Sequence, residues 1–111
     1  MNLTPKQVIE ENVPARLIAN PELQKEINSV ILFDLKGENG GKWIIDLTKN
    51  SDWVQTNTEE VTPQMTVELS VTDFIGLVRK ELNIQGLALV GRLKIKPLNS
   101  KVMKLESLIQ I

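Results

Sequence analysis

Residues 91–108, GRLKIKPLNSKVMKLESL, constrain the fold more than any other stretch. In Arg92-Leu93-Lys94-Ile95-Lys96 charged and apolar residues alternate strictly, the period-2 mark of a strand with one buried face. Pro97 lacks a backbone donor and ends the ladder. Ser100 stands where a helix N-cap belongs. Val102, Leu105, Leu108 and Ile109 follow at helical spacing, with Lys101, Lys104 and Glu106 off that line. A strand that turns into an apolar helix can close one end of a packed core or one end of a cavity, and the spacing fits both.

The N-terminal quarter reads as broken helix. Thr4-Pro5-Lys6-Gln7 has the form of a capping box with proline at the first helical position. The helix spans about residues 5–12, and Pro14 interrupts it. Asn20-Pro21 restarts it over 21–28, with Asn20 as a cap and Leu23 and Ile27 on one face. Strands follow at 30–36 (VILFDLK) and 42–48 (KWIIDLT), joined by a Gly-rich loop in which Asn39-Gly40 supplies positive φ. A short strand at 52–56 completes a meander, and 65–70 (MTVELS) makes a fourth strand. Ser70 or Thr72 caps a helix over 72–82, whose stripe is Phe74, Leu77, Val78 and Leu82. Residues 83–90 are apolar and irregular, and 92–96 is the fifth strand. The expected fold is α+β: a five-stranded, mostly antiparallel sheet covered by helices on one face. Residues 1–111 are expected to form one domain.

Absences exclude much chemistry. Without cysteine there are no disulfides, thiol nucleophiles or thiolate metal sites, and without histidine the usual general base and commonest metal ligand are gone. Glu10-Glu11 and Glu59-Glu60 are sequence neighbours that do not share a face, so they read as solvated surface. Asp34 and Asp46 could approach each other across the first hairpin, but no further oxygen-rich cluster supports a metal. No catalytic residue, metal or cofactor is expected. The N-terminus lacks the form of a signal peptide and the C-terminus is not a Ser-Lys-Leu address, so the expected location is cytoplasmic.

Charge is divided along the chain. Residues 1–78 carry 6 basic and 12 acidic side chains, a balance of −6, and residues 79–111 carry 7 basic and 2 acidic, a balance of +5. A solvated sheet face and helix flank is the plainer reading. Transient contact of Arg92, Lys94, Lys101 and Lys104 with an anionic membrane is the sharper one. Nucleic acid is not expected as a partner, because the basic region has no aromatic side chain on which to stack bases.

The same stretch resembles the sterol carrier protein 2 lipid-transfer family, whose late motif reads roughly G-K-L-K-I-x-G-N followed by a helix ending in M-K-L-x-x-L. Gly91, Leu93, Lys94, Ile95, Met103, Lys104, Leu105 and Leu108 match; Arg92 stands for the usual Lys and Pro97-Leu98 for Gly-Asn. Gly41-Lys42-Trp43 with Asp46-Leu47 resembles the family's G-x-W-x-x-D-L, and Leu69-Ser70 with Asp73-Phe74 and Leu77 resembles its D-F-x-x-L. The resemblance implies a hydrophobic tunnel between a curved sheet and covering helices, holding a sterol, fatty acid, acyl-CoA or phospholipid without catalysis. By the same resemblance the lining is Phe33, Trp43, Ile45, Leu69, Phe74, Leu77, Leu93, Ile95, Met103 and Leu105. Core packing explains any one of these residues equally well. An accessory module of a larger lipid- or quinone-related assembly, with its cavity filled in, is the second reading; an enzyme is the third.

Overall fold

The structure, a computed structural model, describes residues 3–97 and 101–110. Five strands form one sheet: β1 (Val30–Lys36), β2 (Gly41–Asp46), β3 (Val54–Gln55), β4 (Met65–Ser70) and β5 (Leu93–Lys96). Their order is β3-β2-β1-β4-β5. The pairs β1–β2, β2–β3 and β4–β5 are antiparallel, and β1–β4 is parallel. Alternation fixes which face each strand buries. Ile31, Phe33, Leu35, Trp43, Ile45, Met65, Val67, Leu69, Leu93 and Ile95 turn into one core, and the helices close over it. On the other face register sets Lys42, Asp34, Glu68 and Lys94 in one row, two opposite-charge pairs flanking two neighbouring carboxylates. β3 keeps only two paired residues, shorter than the expected 52–56, and Asp52 before it adopts a positive φ that breaks the strand.

The first helix does not stop at Pro14. It runs over 5–19, α-helical at Pro5–Gln7, π-helical at Val8–Asn12 and α-helical again at Val13–Ala19. Val13 N–H donates to Val8 O, five residues back. The widened turn places Pro14 in the first turn of a new α segment, where a missing N–H costs nothing. It also lets consecutive Val8 and Ile9 both face inward, ahead of Val13 and Leu17. The Thr4–Gln7 capping box forms as expected, with bonds of 3.2 and 3.3 Å. Asn20 does not cap with its side chain; the next helix, Pro21–Ile27, starts from its carbonyl, which accepts from Leu23 N–H at 3.2 Å.

In the first hairpin the positive φ values fall at Gly37, Asn39 and Gly41 rather than at Gly40. Gly40 is required for closeness instead, since a Cβ there would sit 2.2 Å from the Leu35 carbonyl oxygen. Ser70 caps the helix Val71–Val78, its Oγ accepting from Asp73 N–H at 3.1 Å. That helix ends short of the expected 82 because Leu82 folds back against Gly76, where a Cβ would lie 2.5 Å from Leu82 Cδ1. The amides of Glu81 and Leu82 both donate to Gly76 O. Residues read as irregular form a helix, Ile84–Leu89, because Asn83 Oδ1 accepts from Gly86 N–H at 2.6 Å and caps it. The last helix is Val102–Ile109. The expected Ser100 cap lies outside the described residues.

Candidate functional site

The interior beneath the helices is the region the expected lining residues share. Nine of the ten (Phe33, Trp43, Ile45, Leu69, Phe74, Leu77, Leu93, Ile95 and Leu105) belong to one buried apolar cluster. Phe33 from the central strand and Phe74 from the helix after β4 meet edge to face, ring centroids 6.0 Å apart. Met103 does not join them and is 47% exposed. The buried stripe of its helix is Val102, Leu105, Leu108 and Ile109, and a residue one step from Val102 points about 100° away from it.

One polar contact penetrates this apolar set. Trp43 Nε1 donates to Glu10 Oε2 at 2.9 Å, so the second strand is tied to the π-helical turn above it. Glu10 is therefore not simply solvated surface. Its pairing was hidden because the two residues are far apart in sequence and the π turn sets which way Glu10 faces. Asp34 and Asp46 do not approach each other: register sets Asp34 opposite Lys42 and Asp46 opposite Val30. Asp34 pairs with Lys36 at 3.1 Å, and Asp46 Oδ1 accepts from the amide and hydroxyl of Thr48.

The rim is stitched by side chains. Arg92 grips the buried carboxylate of Asp73 with two bonds, at 2.5 and 3.1 Å. Lys101 Nζ donates to Ser29 Oγ at 3.1 Å, and Lys104 pairs with Glu26 at 3.1 Å. Arg16 donates to the Gln110 carbonyl oxygen, and Ile84 N–H donates to Glu106 Oε1 at 2.6 Å. Of the four basic side chains expected to face a membrane, Arg92, Lys101 and Lys104 thus hold protein partners, and Lys94 lies on the outer sheet face beside Glu68.

Among the described residues, four of the surface clefts have volumes of about 540, 660, 300 and 500 Å³. The largest lies between Thr4, Asn39 and the helix Val71–Val78; the two smallest flank Trp53 and Ile18. None of the four is lined by any of the ten expected residues. Nine of the ten instead lie together in the buried apolar cluster.

A model of the SCP-2 sterol transfer family matches residues 10–110. Among curated relatives, the peroxisomal multifunctional enzyme A of Dictyostelium discoideum is 31% identical over 103 residues, which is 92% of this chain and 23% of that protein. Human hydroxysteroid dehydrogenase-like protein 2 is 28% identical over 87 residues, 78% of this chain and 21% of that protein. The chain thus spans less than a quarter of the length of these relatives. Among solved structures, sterol carrier protein 2 of Yarrowia lipolytica in its apo form is 27% identical with a TM-score of 0.70, covering 94% of this chain and 82% of that one. Palmitated SCP2L2 of Aedes aegypti shares the fold at 22% identity and a TM-score of 0.72, over 98% and 96% of the two chains. The ubiquinone synthesis protein UbiJ shares it at 17% identity and a TM-score of 0.68, over 98% and 93%.

Proposed function

This chain belongs to the SCP-2 sterol transfer family, and from that premise we propose that it binds and transfers an apolar ligand without catalysing a reaction. Family membership over residues 10–110 carries the reading. The gathering of nine expected lining residues in one apolar cluster supports it. In this reading residues 1–111 act as one lipid-binding domain, and the interior opens when ligand displaces packed side chains. Shielding the ligand from water contributes about 25 cal/mol per Å² of apolar surface. The C-terminal helix is the element proposed to yield: it covers the cluster from its end and is held by side-chain bonds rather than by the sheet ladder. Lys101 and Lys104 on its flank, with Arg92 and Lys94, are proposed to meet anionic lipid during exchange. The proposed compartment is the cytoplasm, to be checked by cell fractionation, and two relatives carry peroxisomal names.

The test is binding of an environment-sensitive fatty-acid probe together with native mass spectrometry of the purified protein. Stoichiometric binding that changes Trp43 emission is expected. Trp43→Phe should abolish the emission change and Trp53→Phe should leave it, because Trp43 sits in the cluster and Trp53 at its edge. Absence of saturable binding by any long-chain lipid would overturn the carrier reading. One observation supports a second reading, an accessory module of a larger lipid- or quinone-related assembly with its cavity filled in: none of the clefts described above is lined by the expected residues. The fold shared with UbiJ agrees with that reading.

A further inference from the structure

The end of the helix Ile84–Leu89 and the turn into β5 leave their apolar side chains largely uncovered by the described residues. Ile84 and Leu87 are buried and anchor the helix, while Ala88, Leu89, Val90 and Gly91 are all exposed. Leu89 is 89% exposed and Val90 65%. Side chains of this kind normally leave water, so their position calls for an apolar partner.

Two further features say which partner. Backbone N–H groups at this tip are paired from within. Leu87 N–H donates to Asn83 O, Val90 N–H to Gly86 O, Gly91 N–H to Ala88 O and Arg92 N–H to Leu87 O, at 2.9 to 3.3 Å. Gly91 permits the last turns by taking a φ of +78°. A tip with its amides paired can enter hydrocarbon without stripping water from open donors, which is the main cost of burying backbone there. The stretch of chain around the tip is basic. Between Glu81 and Glu106 the sequence has no acidic residue and five basic ones. Lys94 and Lys96 are exposed on the strand that leaves the tip, and Arg79 and Lys80 on the turn that precedes its helix. Arg92, although bonded to Asp73, keeps a half-exposed side chain.

We propose that Ala88-Leu89-Val90 is a membrane-docking tip, which inserts into the head-group and upper acyl region of an anionic bilayer while flanking cations hold the phosphates. The proposal deepens the carrier reading by naming where the protein meets its donor or acceptor membrane, and it is measured without ligand. Glu106 Oε1 accepts from Ile84 N–H, so the docking helix is bonded directly to the C-terminal helix that closes the core.

The chain has no cysteine, which makes single-site labelling clean. Leu89→Cys carrying an environment-sensitive fluorophore should shift to the blue with phosphatidylcholine–phosphatidylserine vesicles. The same label at Ser51→Cys, on the exposed turn leading to the opposite edge strand, should not shift. In vesicle sedimentation the unlabelled double variant Leu89→Ser, Val90→Ser should lose at least roughly tenfold in partition with an unchanged melting temperature. Lys94→Glu with Lys96→Glu should weaken binding to the anionic vesicles, as should added salt. Three results would overturn the proposal: equal shifts at both label positions, a shift at position 89 that follows protein concentration rather than lipid, or unaltered sedimentation of the double serine variant. Fatty-acid probe binding without vesicles is followed in parallel. If it fails while docking holds, the carrier reading falls and the tip stands.

Discussion

The two short apolar helices on either side of β5 in the chain end differently. Val102–Ile109 buries Val102, Leu105, Leu108 and Ile109 and is tied at several positions to its neighbours. Ile84–Leu89 buries only Ile84 and Leu87 and exposes the apolar end that leads into β5. Composition does not separate them, for both are rich in Leu, Ile or Val. Spacing does. In the first, large apolar residues recur every third or fourth position and share one face. In the second, Leu87, Ala88, Leu89 and Val90 are consecutive and fan around the axis, so one core can take only part of them. A consecutive apolar run at the end of a short helix therefore leaves side chains on the surface that the core cannot take.

The sharpest way to break this contrast is Leu105→Ala. Leu105 is 1% exposed within the cluster, so denaturant unfolding should show a loss of about 2–5 kcal/mol. A much smaller loss accompanied by faster lipid exchange would mean that the helix is a loose lid over open space. Arg92→Ala comes next, because it strands the buried Asp73 carboxylate. A cost of about 1–3 kcal/mol is expected, eased by the helix N-terminus that Asp73 also faces. Arg92→Lys should recover only part of it, since one ammonium cannot reproduce the two-bond grip; equal stability of the two variants would argue that the pair contributes little. Glu106→Ala removes the bond between the two helices. About 1 kcal/mol is expected, with the Ile84 amide exchanging hydrogen faster, and an unchanged Ile84 exchange rate would show that the helices are not coupled there. Smallest of all, Leu89→Ser with Val90→Ser should move stability by no more than about 0.5 kcal/mol, as befits exposed positions. A large destabilisation would place these side chains in the fold rather than on a docking surface.

Much of the architecture was legible in the residues. The alternation in VILFDLK, MTVELS and RLKIK assigned the inward face of three strands correctly, and the stripe at 102, 105, 108 and 109 did the same for the last helix. Misread elements had causes that single residues do not display. Pro14 looked like a stop because the interior of an α-helix does not hold proline, but the π turn at Val8–Asn12 places it in the first turn of a new α segment, where it fits. Asn83 capped a helix too short and too glycine-broken to show a period. Of the ten residues that the resemblance named, nine lie in the buried cluster. Met103 was misplaced because a motif match does not report which side of the helix faces in.

By itself, then, the sequence determined the strands, their faces, the absence of thiol and imidazole chemistry, and the family. Those properties are local or compositional, and each is written in a few neighbouring residues. The tertiary structure alone decided that β1 and β4 lie parallel, that Glu10 receives the Trp43 indole, that Arg92, Lys101 and Lys104 have protein partners, and that Leu89 and Val90 are exposed. It also decided that nine of the expected residues share one buried cluster while Met103 stays outside it. Each of these depends on distances between segments remote in sequence. A filled core and a cavity wall are built from the same side chains, and they differ only in how closely those side chains meet.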